Sequence, residues 1–146
     1  VRNVVNSPKL VPGGGAIEMA TAMALKKKGQ TMTGVQQAPF LAVSEALEVI
    51  PRTLAQNCGV SVIRTITQLR AKHAAAYEDA DGNDKPADQV KCTWGINGET
   101  GQLVDMNDYG VWEPLSVKAQ TIKTAIESAC MILRIDDIVS GSKRRA

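Results

Sequence analysis

The sequence predicts a mainly α-helical fold, a helical bundle carrying a small β-hairpin and a C-terminal edge strand. Three observations carry that prediction. Apolar residues recur at three- and four-residue spacing through most of the chain. Proline and glycine punctuate the gaps between the periodic segments. Strand character is confined to apolar residues around Asn97 and Gly98 and to a short run at 135–139. With 146 residues, the chain is long enough for one domain with a real core.

Residues 1–8 read as a helical end closed by the turn signal Asn6, Ser7, Pro8. A short apolar Leu10, Val11 leads into Pro12 and three glycines. A helix is expected over 16–28, with Ile17, Ala20, Met23 and Ala24 as its apolar stripe. Lys26, Lys27 and Lys28 suit the negative end of its dipole, and Gly29 ends it. Pro39 opens the next helix, on which Phe40, Val43, Leu47, Ile50 and Leu54 recur. Pro51 falls inside that pattern and predicts a kink or a break. After the stop at Asn57, Cys58, Gly59, Ser61 caps a helix to about Ala75. Ile63, Ile66 and Leu69 share one of its faces, and Arg64, Arg70 and Lys72 face water.

Residues 77–92 are acidic and poor in large aliphatics, and read as an exposed loop. Asn97 and Gly98 form a strong turn dipeptide between Ile96 and Leu103, Val104, hence the hairpin. Asn107 to Gly110 make another turn, with Asp105 and Asp108 placed to cap it. Glu113 and Pro114 open the last helix, Pro114 at its first position. Leu115, Ala119, Ile122, Ile126, Ala129 and Leu133 mark its expected buried face.

Composition removes several function classes. A net charge of +2 is too small to argue for nucleic acid, and aromatic residues do not interleave with basic ones. The basic run Lys143, Arg144, Arg145 reads as a solvated tail. No apolar stretch reaches membrane-spanning length. Cys58, Cys92 and Cys130 are odd in number and far apart, which favours reduced thiols in a cytoplasmic protein. The chain opens on Val1, Arg2, Asn3 without an initiator methionine, as expected of a piece or a processed product.

Local motifs leave the chemistry open. Gly13, Gly14 and Gly15 stand before a helix, where glycine permits a tight turn and also the close approach of an anion or a flat heterocycle. They match neither a P-loop nor a dinucleotide fingerprint. Asp79, Asp81 and Asn83 begin like a calcium loop, but Asp84 and Val90 stand where glycine and glutamate are needed, so a solvated loop is expected. His73 has no ligand or triad partner at useful spacing and reads as a semi-exposed helix residue. Glu113, in a first helical turn, favours the dipole and could also accept hydrogen bonds from ribose hydroxyls.

Taken in order, "RNVVNSPKLVPGGGAIEMATAMAL", "EVIPRTLAQNCG", "WGINGETGQLVDM", "GVWEPLSVKAQTIKTAIESA" and "ILRIDDIVSG" are more specific. Together they resemble the C-terminal part of a group II chaperonin subunit of the eukaryotic cytosolic type, the TCP-1 ring complex. The resemblance covers nearly the whole chain apart from the acidic loop. It implies the C-terminal portion of the equatorial domain over 1–146, with 1–8 as the end of an intermediate-domain helix and 77–92 as a variable insertion. It implies stacked rings of subunits that fold cytosolic proteins such as actin and tubulin by ATP hydrolysis. Gly13, Gly14 and Gly15 would pack against ATP or ADP. Asn97 and Gly98 would lie beside the adenine, Glu113 would bind the ribose, and Lys118 would lie near the same edge. Asp136 and Asp137 would lie on the strand that joins neighbouring subunits. The family's catalytic aspartate, phosphate loop and magnesium ligand have no counterpart in these residues, nor does the apical region that holds unfolded clients. The chain alone is therefore expected to be inactive, and the alternative is a non-enzymatic helical interaction module or truncated paralogue without ATP turnover.

Overall fold

The computed structural model describes residues 2–77 and 90–139. Most of the acidic loop and the basic tail lie outside the described residues. Contacts divide the chain into two units, Leu10–Glu113 and Val1–Lys9 together with Pro114–Ala146.

The larger unit begins with β1 (Leu10–Pro12) and passes through the glycine turn into α2 (Ala16–Thr31). Then come α3 (Gln37–Leu47), α4 (Val49–Asn57) and α5 (Val62–Ala75). The hairpin is β2 (Trp94–Ile96) paired antiparallel with β3 (Leu103–Asp105), Gly95 lying opposite Val104. A single turn, α6 (Met106–Tyr109), leads to β4 (Trp112–Pro114), which pairs with β1. The core is Met19, Ala55, Ile66, Leu69 and Ile96, with Met23, Leu54, Val60, Val62, Trp94 and Leu103 packed on it. Helices α2, α4 and α5 and the hairpin thus close on one apolar centre, as the periodicity predicts.

Several details differ from the sequence expectation. The buried side of α2 is Ala16, Glu18, Met19 and Ala22, not the stripe through Ile17 and Ala20. Small residues decide this: Ala22 and Gly29 let α3 approach so closely that the Ser44 hydroxyl donates to the Ala22 carbonyl at 2.7 Å. A Cβ on Gly29 would lie 3.1 Å from Leu41, so the glycine serves helix contact and α2 continues past it to Thr31. On α5, Thr65, Ile66, Leu69 and His73 are buried while Ile63 is 84% exposed, because at helical spacing Ile63 falls to the side of the face those residues share. Arg70 does not simply face water. Its guanidinium grips the buried carboxylate of Glu48 through two hydrogen bonds, and Glu48 in return holds the Arg70 pKa up.

Pro51 produces the expected break, but upstream of itself. It is the third residue of α4, where its missing N–H costs nothing, and its ring excludes the carbonyl that a continuous helix would place four residues earlier. Helix α3 therefore ends at Leu47. In the hairpin loop the left-handed residue is Gly101, φ 70°, rather than Gly98. The loop closes by Gly101 N–H to the Asn97 carbonyl, 2.8 Å, and Asn97 N–H to the Gln102 carbonyl, 2.9 Å. It is longer than the two-residue turn that an Asn-Gly pair favours.

The second unit holds α1 (Arg2–Asn6) and α7 (Leu115–Leu133). Pro114 is the N-cap of α7, one position before the expected place. None of the α7 residues is buried, Leu133 being 84% exposed, although the apolar stripe is present. A five-residue α1 is too short to cover a helix of 19 residues. Residues 135–139 form no strand among the described residues; they are exposed, and Asp137 accepts from the Ile138 N–H at 2.7 Å. A strand needs a ladder partner, and these residues meet none.

His73 is the largest departure on α5. It is 1% exposed rather than semi-exposed, and its Nε2 lies 2.9 Å from the Trp94 carbonyl. A carbonyl only accepts, so Nε2 carries a hydrogen and donates it, tying α5 to β2. Nδ1 is buried with no hydrogen-bond partner among the described residues. Burial pushes the His73 pKa down, the hydrogen bond to Trp94 partly opposing it. The unfolded chain therefore takes up a proton first as pH falls. Stability is flat above the ordinary histidine value and declines as pH drops through it toward the folded value. Thermal unfolding between pH 7.5 and 5.5 should show this decline, and His73→Gln should remove it; an equal decline in the variant would assign it elsewhere.

Candidate functional site

Six of the sequence-predicted residues, Gly13, Gly14, Gly15, Asn97, Gly98 and Glu113, lie on the glycine turn or on the two arms bonded to it. Gly14 and Gly15 have φ of 61° and 77°, and Gly15 is the N-cap of α2. Such dihedrals are open to glycine at little cost. The turn is also crowded. A Cβ on Gly14 would come within 2.7 Å of the Met106 Sδ and Cε and 2.9 Å of the Ile96 carbonyl. On Gly15 it would lie 2.9 Å from Pro51 Cβ, and on Gly13 2.7 Å from Val111 Cγ1. Two needs, conformation and close packing, therefore explain the glycines from within the fold.

The same turn ties together the two arms that bear the other candidates. On one side the Ile96 N–H donates to the Gly14 carbonyl at 2.9 Å, placing Asn97 and Gly98 one and two residues beyond. On the other, the Gly13 N–H donates to the Val111 carbonyl at 3.0 Å, two residues before Glu113. The half-buried Glu113 brings its Oε1 to 3.6 Å from where a Gly13 Cβ would stand. The Ala16 N–H is used as well, donating to the Gly13 carbonyl. The Gly13 and Ala16 N–H groups are thus both spent inside the fold.

Asn97 is 8% exposed, and its side chain serves the loop. Oδ1 accepts from the Glu99 N–H at 2.8 Å, with the Thr100 N–H and Tyr109 hydroxyl at 3.4 and 3.5 Å. Gly98 is different. Its φ is not positive and a Cβ there would meet nothing within 4 Å. Neither conformation nor packing within the chain asks for glycine at this position. Lys118, half-buried near the start of α7, belongs to the other unit.

Sequence reasoning missed four residues that build this place. Met106 is buried against the glycine turn, and Gly95 lets β2 approach it, a Cβ there falling 2.9 Å from the Gly14 carbonyl. Cys58, closing α4, donates its thiol to the Gly98 carbonyl at 3.2 Å. Gly101 packs on Val60 and Cys58. Only the glycines carry a sequence signal, and it names a tight approach without naming the neighbour. The expected cap is confirmed: Asp105 accepts from the Asn107 N–H at 2.9 Å and fixes the start of α6.

The contrast between Gly14 and Gly98 is testable. Gly14→Ala combines an unfavourable φ with contact against backbone and should cost about 2–4 kcal/mol. Gly98→Ala should stay within about 0.5 kcal/mol of wild type. Chemical denaturation of both variants measures the difference; equal losses would mean that the turn is not packed as described.

Comparison with known proteins agrees with this architecture. The TCP-1/cpn60 chaperonin family matches residues 1–143. The T-complex protein 1 subunit gamma of Thalassiosira weissflogii is 70% identical over 145 residues, 99% of this chain and 26% of that protein. The Homo sapiens subunit gamma is 59% identical, over 99% of this chain and 24% of that protein. The chain thus spans about a quarter of the length of these curated relatives. Among solved structures, the open-state monomer of a group II chaperonin from Methanococcoides burtonii superposes with a TM-score of 0.74 at 36% identity, covering 87% of this chain and 28% of that one. The helices, the hairpin and the glycine turn described above are thus those of a known architecture, and the chain belongs to the TCP-1/cpn60 chaperonin family.

Proposed function

We propose that this chain is part of an ATP-dependent chaperone subunit and supplies the adenine and ribose side of its nucleotide site. The observation that carries the reading is Gly98. It is a bare, open glycine without an internal reason, next to Asn97 and one short arm away from a turn that also holds Glu113. A base stacked on a glycine backbone gives such a residue its reason. The Glu113 carboxylate, an acceptor only, suits the two donating hydroxyls of a ribose. Lys118 is assigned to the same edge on the family resemblance alone.

Hydrolysis itself requires a metal, a phosphate clamp and a positioned base together. The role of this chain's residues is to bind and orient the nucleoside, and the chain alone is expected not to turn ATP over. Magnesium and its ligands belong to other parts of the subunit in this reading. Residues 1–8 would close an intermediate-domain helix, and the rest would be equatorial domain with a variable loop over 77–92. The subunit would work in the cytoplasm within a double ring of related subunits, on unfolded polypeptides such as actin and tubulin, held by an apical region.

A second reading, an interaction module without ATP turnover, draws on the exposed apolar residues Met131, Ile132, Leu133, Ile135, Ile138 and Val139. In the preferred reading the same residues meet neighbouring parts of the ring assembly. Titration of the full-length gene product with ATP separates the two. Glu113→Ala should weaken ATP binding about ten- to hundredfold, the loss of charge-assisted hydrogen bonds. Unchanged affinity in that variant would favour the interaction module.

A further inference from the structure

We propose that Met106 is a positioning residue for the nucleotide site, a wedge that sets the distance between its base-side and ribose-side arms. The inference rests on the reading of the site given above, and it concerns a residue that is too deeply buried to touch a nucleotide from its present place, being 1% exposed.

Met106 meets each part of the site. Its thioether end fills the space that Gly14 leaves by having no side chain, with both Sδ and Cε 2.7 Å from the missing Cβ position. Its Cγ stands in the same relation to Gly95, at 3.0 Å, on the strand that runs into Asn97 and Gly98. Its backbone N–H donates to the Thr93 carbonyl at 2.9 Å, just before that strand. Its carbonyl accepts from the Gly110 and Val111 N–H groups at 3.0 and 3.2 Å. Val111 in turn accepts from Gly13 and leads to Glu113. One residue therefore braces the glycine turn and the base arm with its side chain, and directs the ribose arm with its carbonyl.

The orientation of the wedge is itself constrained. Helix α6 is a single turn, capped at one end by the Asp105 carboxylate and closed at the other by Gly110 with φ 78°. Methionine is unbranched, so a linear thioether can lie between two glycine backbones where a branched side chain cannot. Changing its shape moves Gly14 against Gly95, and the Ile96–Gly14 hydrogen bond with them. A shift of this kind misplaces base and ribose contacts together while leaving the residues that make them intact.

The test uses the full-length gene product and measures ATP affinity, KM and kcat together with thermal stability. Met106→Leu keeps the apolar volume but not the linear tip. It should retain most of the stability while raising the ATP dissociation constant and KM about five- to tenfold, with kcat within about twofold. Met106→Ala should lose both stability and affinity. If the alanine variant does not fold, the leucine variant carries the test alone. Wild-type ATP affinity and KM in Met106→Leu overturn the proposal, because a merely structural role is satisfied by apolar volume. Glu113→Ala measured alongside separates the two ideas. Loss there with none in Met106→Leu refutes only the wedge, and no loss in Glu113→Ala refutes the nucleotide site on which it rests.

Discussion

The hydrogen bond from Ile96 to the Gly14 carbonyl is the contact on which the larger unit turns. It joins the turn before α2 to the hairpin, two segments separated by the whole of α2, α3, α4 and α5 in the chain. For it to form, both backbones must come together without side chains between them. Gly14 and Gly95 meet that demand, and Met106 fills what remains. Ile96 then places its own side chain in the core with Met19 and Leu69, so the polar contact and the apolar centre are made by the same residue. Buried backbone groups that are paired in this way cost little, whereas either group left alone would be expensive. The glycine turn is accordingly a structural joint first, and its place beside Glu113 and Gly98 follows from what it joins.

Much of this was legible in the sequence. Helical periodicity and proline placement yield α2 to α5 with boundaries a few residues out, and the Asp105 cap reads directly. The hairpin follows from apolar residues on either side of Asn97 and Gly98. What was not legible has physical causes. Periodicity alone does not say which side of an alanine-rich helix faces inward, because small residues allow contact on several sides; Ala22 and Gly29 settled it through α3. The face of α7 and the run 135–139 carry apolar and strand-like patterns, yet a pattern describes a surface and not the element that covers it. His73 looked bland because a lone histidine is recognised by its surroundings, here the Trp94 carbonyl, 21 residues away.

The site shows the same division. Residue type and order marked Gly13, Gly14, Gly15, Asn97, Gly98 and Glu113, and six residues so marked fall around one turn. Their individual duties could not be read from type. Asn97 is consumed by its own loop, Gly14 and Gly15 by packing and dihedral angle, while a Cβ on Gly98 would meet nothing within 4 Å. Met106 and Gly95 carried no motif, since support beneath a site is defined by contact across the chain. The family relation explains why these features occur in this order.

In the proposed site, one adenine nucleotide touches the glycine turn, the Asn97 and Gly98 loop and the Glu113 arm at once. Amide hydrogen exchange of the full-length gene product, with and without magnesium ADP, reads these three segments separately. Binding there should slow exchange in all three on addition of the nucleotide, with the exposed loop around Gly34 unchanged. Protection confined to other segments, with these three exchanging as before, would contradict it.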